Sequence, residues 1–182
     1  MLKLDDNPAA LFPDDVLDAV SGNWWVAHTK ARMEKAFAWD LFRKQIPYFL
    51  PMIERVRISG GKKRRTKLPV FTSYVFFRGD SQQRVAALAT NRLCQVVPVP
   101  DQAQLTRELR NIRRVIDEKQ TIDFFPVAAV GRRCRITSGP LEGMEGTVIR
   151  RDGVTRMVLQ VSILGQGAAV EIEPDLLEEV DS

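Results

Sequence analysis

Histidine occurs once in this 182-residue chain, at His28, and cysteine twice, at Cys94 and Cys134. Neither residue type clusters at metal-ligand spacing. The two cysteines show no Cys-x-x-Cys pattern, which implies a reduced, cytoplasmic compartment rather than a disulfide framework. No apolar run approaches the 18 residues of a membrane helix, and the opening MLKLDDNPAALFPDD lacks a basic-then-apolar leader. SGGKKR departs from the G-x-x-x-x-G-K-[ST] phosphate loop. Asp14-Asp15 and Glu178-Glu179 are adjacent carboxylates in polar tails, and nothing pairs a nucleophile with a base. No catalytic residue, metal or cofactor is therefore expected, and the chain reads as a non-enzyme.

What is present is charge, unevenly spread. The net charge is +4, with 27 Lys and Arg against 23 acids. Residues 1–20 hold five acids and one lysine, and residues 130–182 hold nine acids against six basic residues. Residues 21–129 hold twenty basic residues against nine acids, a surplus of eleven. Such asymmetry suits a polyanionic partner for the middle segment alone, against the plainer reading of a solvated basic face.

Periodicity divides the chain. Residues 1–20, acidic and with Pro8 and Pro13, show no sustained period and read as a largely disordered extension. NWWVAHT (23–29) reads as a strand, and KARMEKAFAWDLFRKQ (30–45) has helical spacing at Met33, Phe37 and Leu41. IPYFLPMIERVRIS supplies one or two strands, GGKKRRTKLP an exposed basic arm, and VFTSYVFFRGD a strong strand. A helix opening at Ser81, a strand in RLCQVVPV and a helix capped by Asp101 follow. This order predicts an α+β domain over 21–118, one antiparallel sheet flanked by helices. Residues 119–129, with Pro126, read as a linker. Residues 130–182 hold four short strands between glycine-rich turns, the pattern of a small all-β barrel.

Three stretches carry information about function. In VFTSYVFF both faces of the strand bear aromatics, which marks either a doubly covered central strand or a protein-docking face. Between Arg55 and Lys67 lie seven basic residues (Arg55, Arg57, Lys62, Lys63, Arg64, Arg65, Lys67) and no acid, a phosphate-neutralising arm or a solubilising loop. VGRRCRITSGPLEGMEGTVIRR sets Gly131, Gly139, Gly143 and Gly146 within sixteen residues and places Leu141 and Met144 on a hairpin loop, from which a partner-facing role is expected.

GRRCRITSGPLEGMEGTV resembles the KOW motif, with Cys134 in place of the usual valine, and VLQVSILGQGAAVEIEPDLLEEV resembles the end of the NusG C-terminal barrel. WWVAHTKARMEKAF and FLPMIERVRISGGKKRRTKLPVFTSYVFF resemble the NusG N-terminal domain, especially its RfaH-like specialised paralogues. The resemblance covers about residues 23–180. It implies a transcription elongation or antitermination factor, monomeric, with an SH3-like KOW barrel of residues 130–182. The N-terminal domain would then dock on the clamp helices of the largest RNA polymerase subunit through Tyr74, Phe76 and Phe71, with His28 where an aromatic is common. Lys30 matches a basic position near upstream or non-template DNA, and Arg92 lies near another such position. The barrel would bind the ribosomal protein NusE, and in general NusG proteins the termination factor Rho, with Leu141, Met144 and Leu164 at positions commonly phenylalanine and Ile163 beside them.

Two features depart from the specialised paralogues. QRVAAL stands where they carry a polar His/Thr motif. The C-terminal segment is too rich in glycine to rest as helices, since each interior glycine costs about 1 kcal/mol, so a permanent barrel and an unmasked aromatic patch are expected. The rival reading is an RNA- or ribosome-binding KOW protein, against which the barrel's own surplus of acids argues.

Overall fold

The structure, a computed structural model, describes residues 6–19, 21–59, 61–125 and 131–180. Residues 1–5 and 20 of the expected extension, and residues 126–129 of the expected linker, Pro126 among them, lie outside the described residues. The chain divides into two compact units, Met1–Gln102 and Ala103–Ser182.

The first unit is built on a five-stranded antiparallel sheet of β1 (Leu11–Phe12), β2 (Asn23–Thr29), β3 (Tyr48–Phe49), β6 (Tyr74–Gly79) and β7 (Leu93–Pro98), in the order β1-β3-β6-β2-β7. Between β3 and β6 the chain forms a separate two-stranded ribbon, β4 (Met52–Ser59) with β5 (Lys62–Pro69). Helix α1 (Glu34–Arg43) buries Phe37, Ala38 and Leu41, one helical face, against Ala27, Val75 and Phe77 of the sheet. Each large side chain so buried stabilises the unit by about 1.5–3 kcal/mol. Helix α2 (Ser81–Leu88) adds Ala87 to the same core. Its N-cap is Asp80 rather than the expected Ser81: the carboxylate accepts from Gln82 and Gln83 N–H while the Gln83 side chain reaches back to the Asp80 N–H.

The acidic segment expected to be disordered is instead part of this unit. β1 pairs with β3 at the sheet edge, and Val16 and Leu17 are buried. Buried Tyr48 donates its hydroxyl to the Ala9 carbonyl at 3.0 Å, and buried Arg78 donates to the carbonyls of Val16 and Gly22. Five apolar positions, Ala10, Leu11, Phe12, Val16 and Leu17, among the acids are enough to cover an edge.

The second unit contains helix α3 (Gln102–Asp117, from Ala103 onward) and a six-stranded antiparallel sheet. Its strands are β8 (Ile122–Phe125), β9 (Arg132–Ile136), β10 (Glu145–Arg151), β11 (Val154–Val161), β12 (Gln166–Glu171) and β13 (Leu177–Glu179), in the order β13-β9-β10-β11-β12-β8. No pairing joins β13 to β8 among the described residues, so the described hydrogen bonds define an open order rather than the expected closed barrel. The segment expected to link two domains contributes β8, laid against Gly167, Ala168, Ala169 and Val170 of β12. Helix α3, expected to finish the first domain, is clasped to the second sheet's connections. The Glu108 carboxylate accepts from the Ser162 N–H at 3.1 Å and its hydroxyl at 2.6 Å, and the Arg114 guanidinium donates to the Pro140 and Glu142 carbonyls at 3.0 Å each.

Candidate functional site

On the sheet of the first unit, β2 and β6 are neighbours with His28 opposite Tyr74 and Val26 opposite Phe76. The His28 and Tyr74 rings stack at 5.0 Å, both half-buried. Phe76 and Phe71 meet edge-to-face at 6.1 Å and are fully buried. The expected unmasked aromatic face is thus corrected to the His28–Tyr74 ledge. Phe76 lies between Val26 and Phe49 on an interior strand, and all three have no exposed surface, so the doubly covered reading of this strand holds at Phe76.

Tyr74 is positioned by Glu34, which sequence reasoning missed. The Glu34 carboxylate, buried at the first turn of α1 where the helix dipole favours negative charge, accepts from the Ser73 N–H at 2.6 Å. Ser73 has φ of +66°, and its carbonyl accepts from Thr29 N–H at 2.8 Å, which joins the turn to the end of β2. An acid within an otherwise amphipathic first turn was the available signal.

Beside the ledge, the exposed Lys30 Nζ donates to the Asn91 carbonyl at 2.8 Å, and its backbone N–H to the Arg92 carbonyl. The Arg92 guanidinium is 2.9 Å from Asp40 and reaches the Met33 sulfur at 3.6 Å. The structure therefore brings Lys30 and Arg92 together, with Arg92 already neutralised.

The basic arm is the β4–β5 ribbon. Register places Arg55, Arg57 and Ser59 opposite Thr66, Arg64 and Lys62, and Glu54, Val56 and Ile58 opposite Lys67, Arg65 and Lys63. Lys62, Lys63, Arg64 and Arg65 are exposed, and Arg65 forms a 3.5 Å ion pair with Glu54. Val56 and Ile58 are 55% and 71% exposed. At the ribbon's base, the Lys35 ammonium donates to the Lys67 carbonyl at 2.5 Å; burial pushes its pKa down, partly opposed by Glu34.

In the second unit the glycine-rich hairpin faces inward, so the outward presentation of Leu141 and Met144 is corrected: both are buried, at 4% and 3% exposure. Gly139 and Gly143 have φ of +89° and +79°, and the loop folds back so that Gly143 N–H reaches the Ile136 carbonyl and Ile136 N–H the Met144 carbonyl. Gly146 serves close approach instead, since a Cβ there would lie 2.7 Å from the Val158 carbonyl oxygen. Ile163 and Leu164, on the 3-10 turn Ser162–Leu164, are half-buried. Nearby, Glu145 is held below the usual carboxylate range by hydrogen bonds from Arg135 and Arg133.

Among the described residues no group of three or more His, Cys, Asp or Glu is placed to hold a metal ion, and no helix is long and apolar enough to cross a membrane. The family model described as "Transcription termination factor nusG" matches residues 22–127, more than half of the chain. The chain belongs to the NusG family of transcription factors. No curated protein matches it. A solved structure described as "Domain interaction in Thermotoga maritima NusG" is 18% identical, covering 88% of this chain and 98% of that one with a TM-score of 0.49. The MjSpt4:Spt5 complex in conformation B is 15% identical over 87% of this chain and 97% of that one, with a TM-score of 0.25. At these scores neither likeness adds to the family assignment.

Proposed function

We propose that the chain is a NusG-type transcription elongation or antitermination factor that docks on the clamp helices of RNA polymerase through the His28–Tyr74 ledge. The observation that carries this reading is a stacked, half-buried ring pair within the family-matched segment, set on a rigid sheet and flanked by Lys30. Half-exposed aromatics on a fixed scaffold are what a protein-docking hot spot requires. A ligand that binds the closed clamp better shifts the polymerase towards its elongating state. Lys30, Arg92 and the basic ribbon would face the nucleic acid. The second unit, in this reading a KOW domain of SH3-like type, would offer Ile163 and Leu164 to NusE or Rho, while Leu141 and Met144 shape the loop from within. Such a factor works in the cytoplasm as a monomer and is not an enzyme.

The test is retention of the full chain on purified core RNA polymerase at moderate salt. Tyr74→Ala should reduce retention at least tenfold with unchanged thermal unfolding, in keeping with a hot-spot loss of about 2 kcal/mol. Full retention by a well-folded Tyr74→Ala, His28→Ala double variant would remove the docking claim. Phe76→Ala is a poor probe, because truncating a fully buried phenylalanine costs about 3–5 kcal/mol of stability before any contact is tested.

A further inference from the structure

We infer that the β4–β5 ribbon seats in the major groove of duplex DNA, its Val56 and Ile58 side turned to the base edges and its cations reaching the flanking phosphates. This rests on the reading of the ribbon as nucleic-acid-facing, but not on polymerase docking.

Three observations carry it. The first is charge. From Arg55 to Lys67 the chain has seven basic residues and no acid, and the register packs this run onto two adjacent antiparallel strands, where like charges repel. A polyanion relieves that repulsion and releases counterions as it binds. The second is the exposed aliphatic pair. Val56 and Ile58, 55% and 71% exposed, lie on one face with their cross-strand partners Arg65 and Lys63 and with Glu54, which pairs with Arg65, so an adjacent aliphatic pair is held out to solvent among the cations. Apolar side chains at base edges meet thymine methyl groups, which are displayed in the major groove.

The third is shape. Among the described residues β4 and β5 pair with each other and with no other strand, which leaves both outer edges of the ribbon open there. Two strands about 4.8 Å apart, with side chains, match a B-form major groove about 12 Å wide and overfill a minor groove about 6 Å wide. Arg55–Ser59 extends about 17 Å, roughly half a turn of the duplex. The deep, narrow major groove of A-form RNA does not admit such a ribbon. Single strands are gripped by stacking on aromatic side chains, and the ribbon from Met52 to Pro69 contains none.

The experiment is fluorescence anisotropy of the full chain with a 24-base-pair mixed-sequence DNA duplex, its single strand and the equivalent RNA duplex, across a salt series. The expected result is tightest binding to duplex DNA. Replacing Lys62, Lys63, Arg64 and Arg65 by Gln should flatten the log–log salt slope by about three to four units, near 0.9 for each phosphate no longer neutralised. Val56→Ser with Ile58→Ser should weaken duplex binding several-fold at every salt concentration with the slope unchanged, since apolar contact releases no ions. All substitutions are at exposed positions, and coincident thermal unfolding confirms the fold. Equal or tighter binding to RNA duplex or single strand, with the Gln variant still weakened, overturns the duplex assignment and leaves the nucleic-acid reading standing. Unchanged binding of every probe by the Gln variant overturns both.

Discussion

Tyr48 shows how far one side chain can couple the edge of the first unit to solvent pH. It has no exposed surface, and burial pushes its phenol up to about 12 from an ordinary value near 10. A raised folded value favours the neutral phenol in the folded chain. The associated stability is whole below about pH 10 and is lost as pH rises from about 10 to 12. Two units correspond to roughly 3 kcal/mol at 1.36 kcal/mol per unit. Tyr48→Phe deletes the titration along with the hydrogen bond to Ala9, which is worth about 1 kcal/mol. Urea unfolding should therefore find Tyr48→Phe about 1 kcal/mol less stable than wild type at pH 8, with the gap closing or reversing by pH 11.5. A constant gap over that range would mean that Tyr48 is not held neutral by burial.

At the scale of elements, the acidic segment before β2 behaves as a docked edge rather than a tail. Leu17 is 5% exposed and Leu11 7%. Leu17→Ala should cost about 2–5 kcal/mol in urea unfolding, the range for a buried leucine. A disordered extension would give a change within about 0.5 kcal/mol. The same contrast shows what could be read from the chain beforehand. β2, α2, β7 and α3 were legible because their signals are local: NWWVAHT is a short aromatic and β-branched run, and QLTRELRNIRRVI repeats at helical spacing. β1 and β8 were not, because a strand of two or four residues has no period to detect and exists only through its partners, β3 and β12. The site was legible in part. The basic run needed only counting and Tyr74 only the strand pattern of VFTSYVFF, whereas His28 entered through the family resemblance and its stacking on Tyr74 through the register of β2 with β6. The depth of Phe76, Leu141 and Met144 depends on what covers them, and no local pattern records that. Glycine spacing located the hairpin, but Leu141 and Met144 within it are buried rather than outward.

For the whole molecule, the question is where the second unit begins. The family match runs to residue 127, which invites a cut near residue 130. Contacts within the second unit argue for a cut before α3. β8 supplies four register pairs along β12, and without it β12 would present an open edge bearing Val170 and the small residues Gly167, Ala168 and Ala169, a template for association with other chains. α3 holds the glycine hairpin through Arg114 and the 3-10 turn through Glu108 and Gln104, the latter at 3.0 Å from the Ser162 hydroxyl. A fragment of residues 103–182 should thus be monomeric and unfold cooperatively. A fragment of residues 130–182 should associate on size exclusion and exchange its β12 amides rapidly. In the longer fragment, Arg114→Ala leaves two loop carbonyls without their donor and should speed amide exchange at Gly143 and Met144 selectively. If residues 130–182 alone give a monomer with the same protected amides and the same unfolding midpoint as 103–182, then α3 and β8 are accessories to the sheet, and the unit begins where the sequence first suggested.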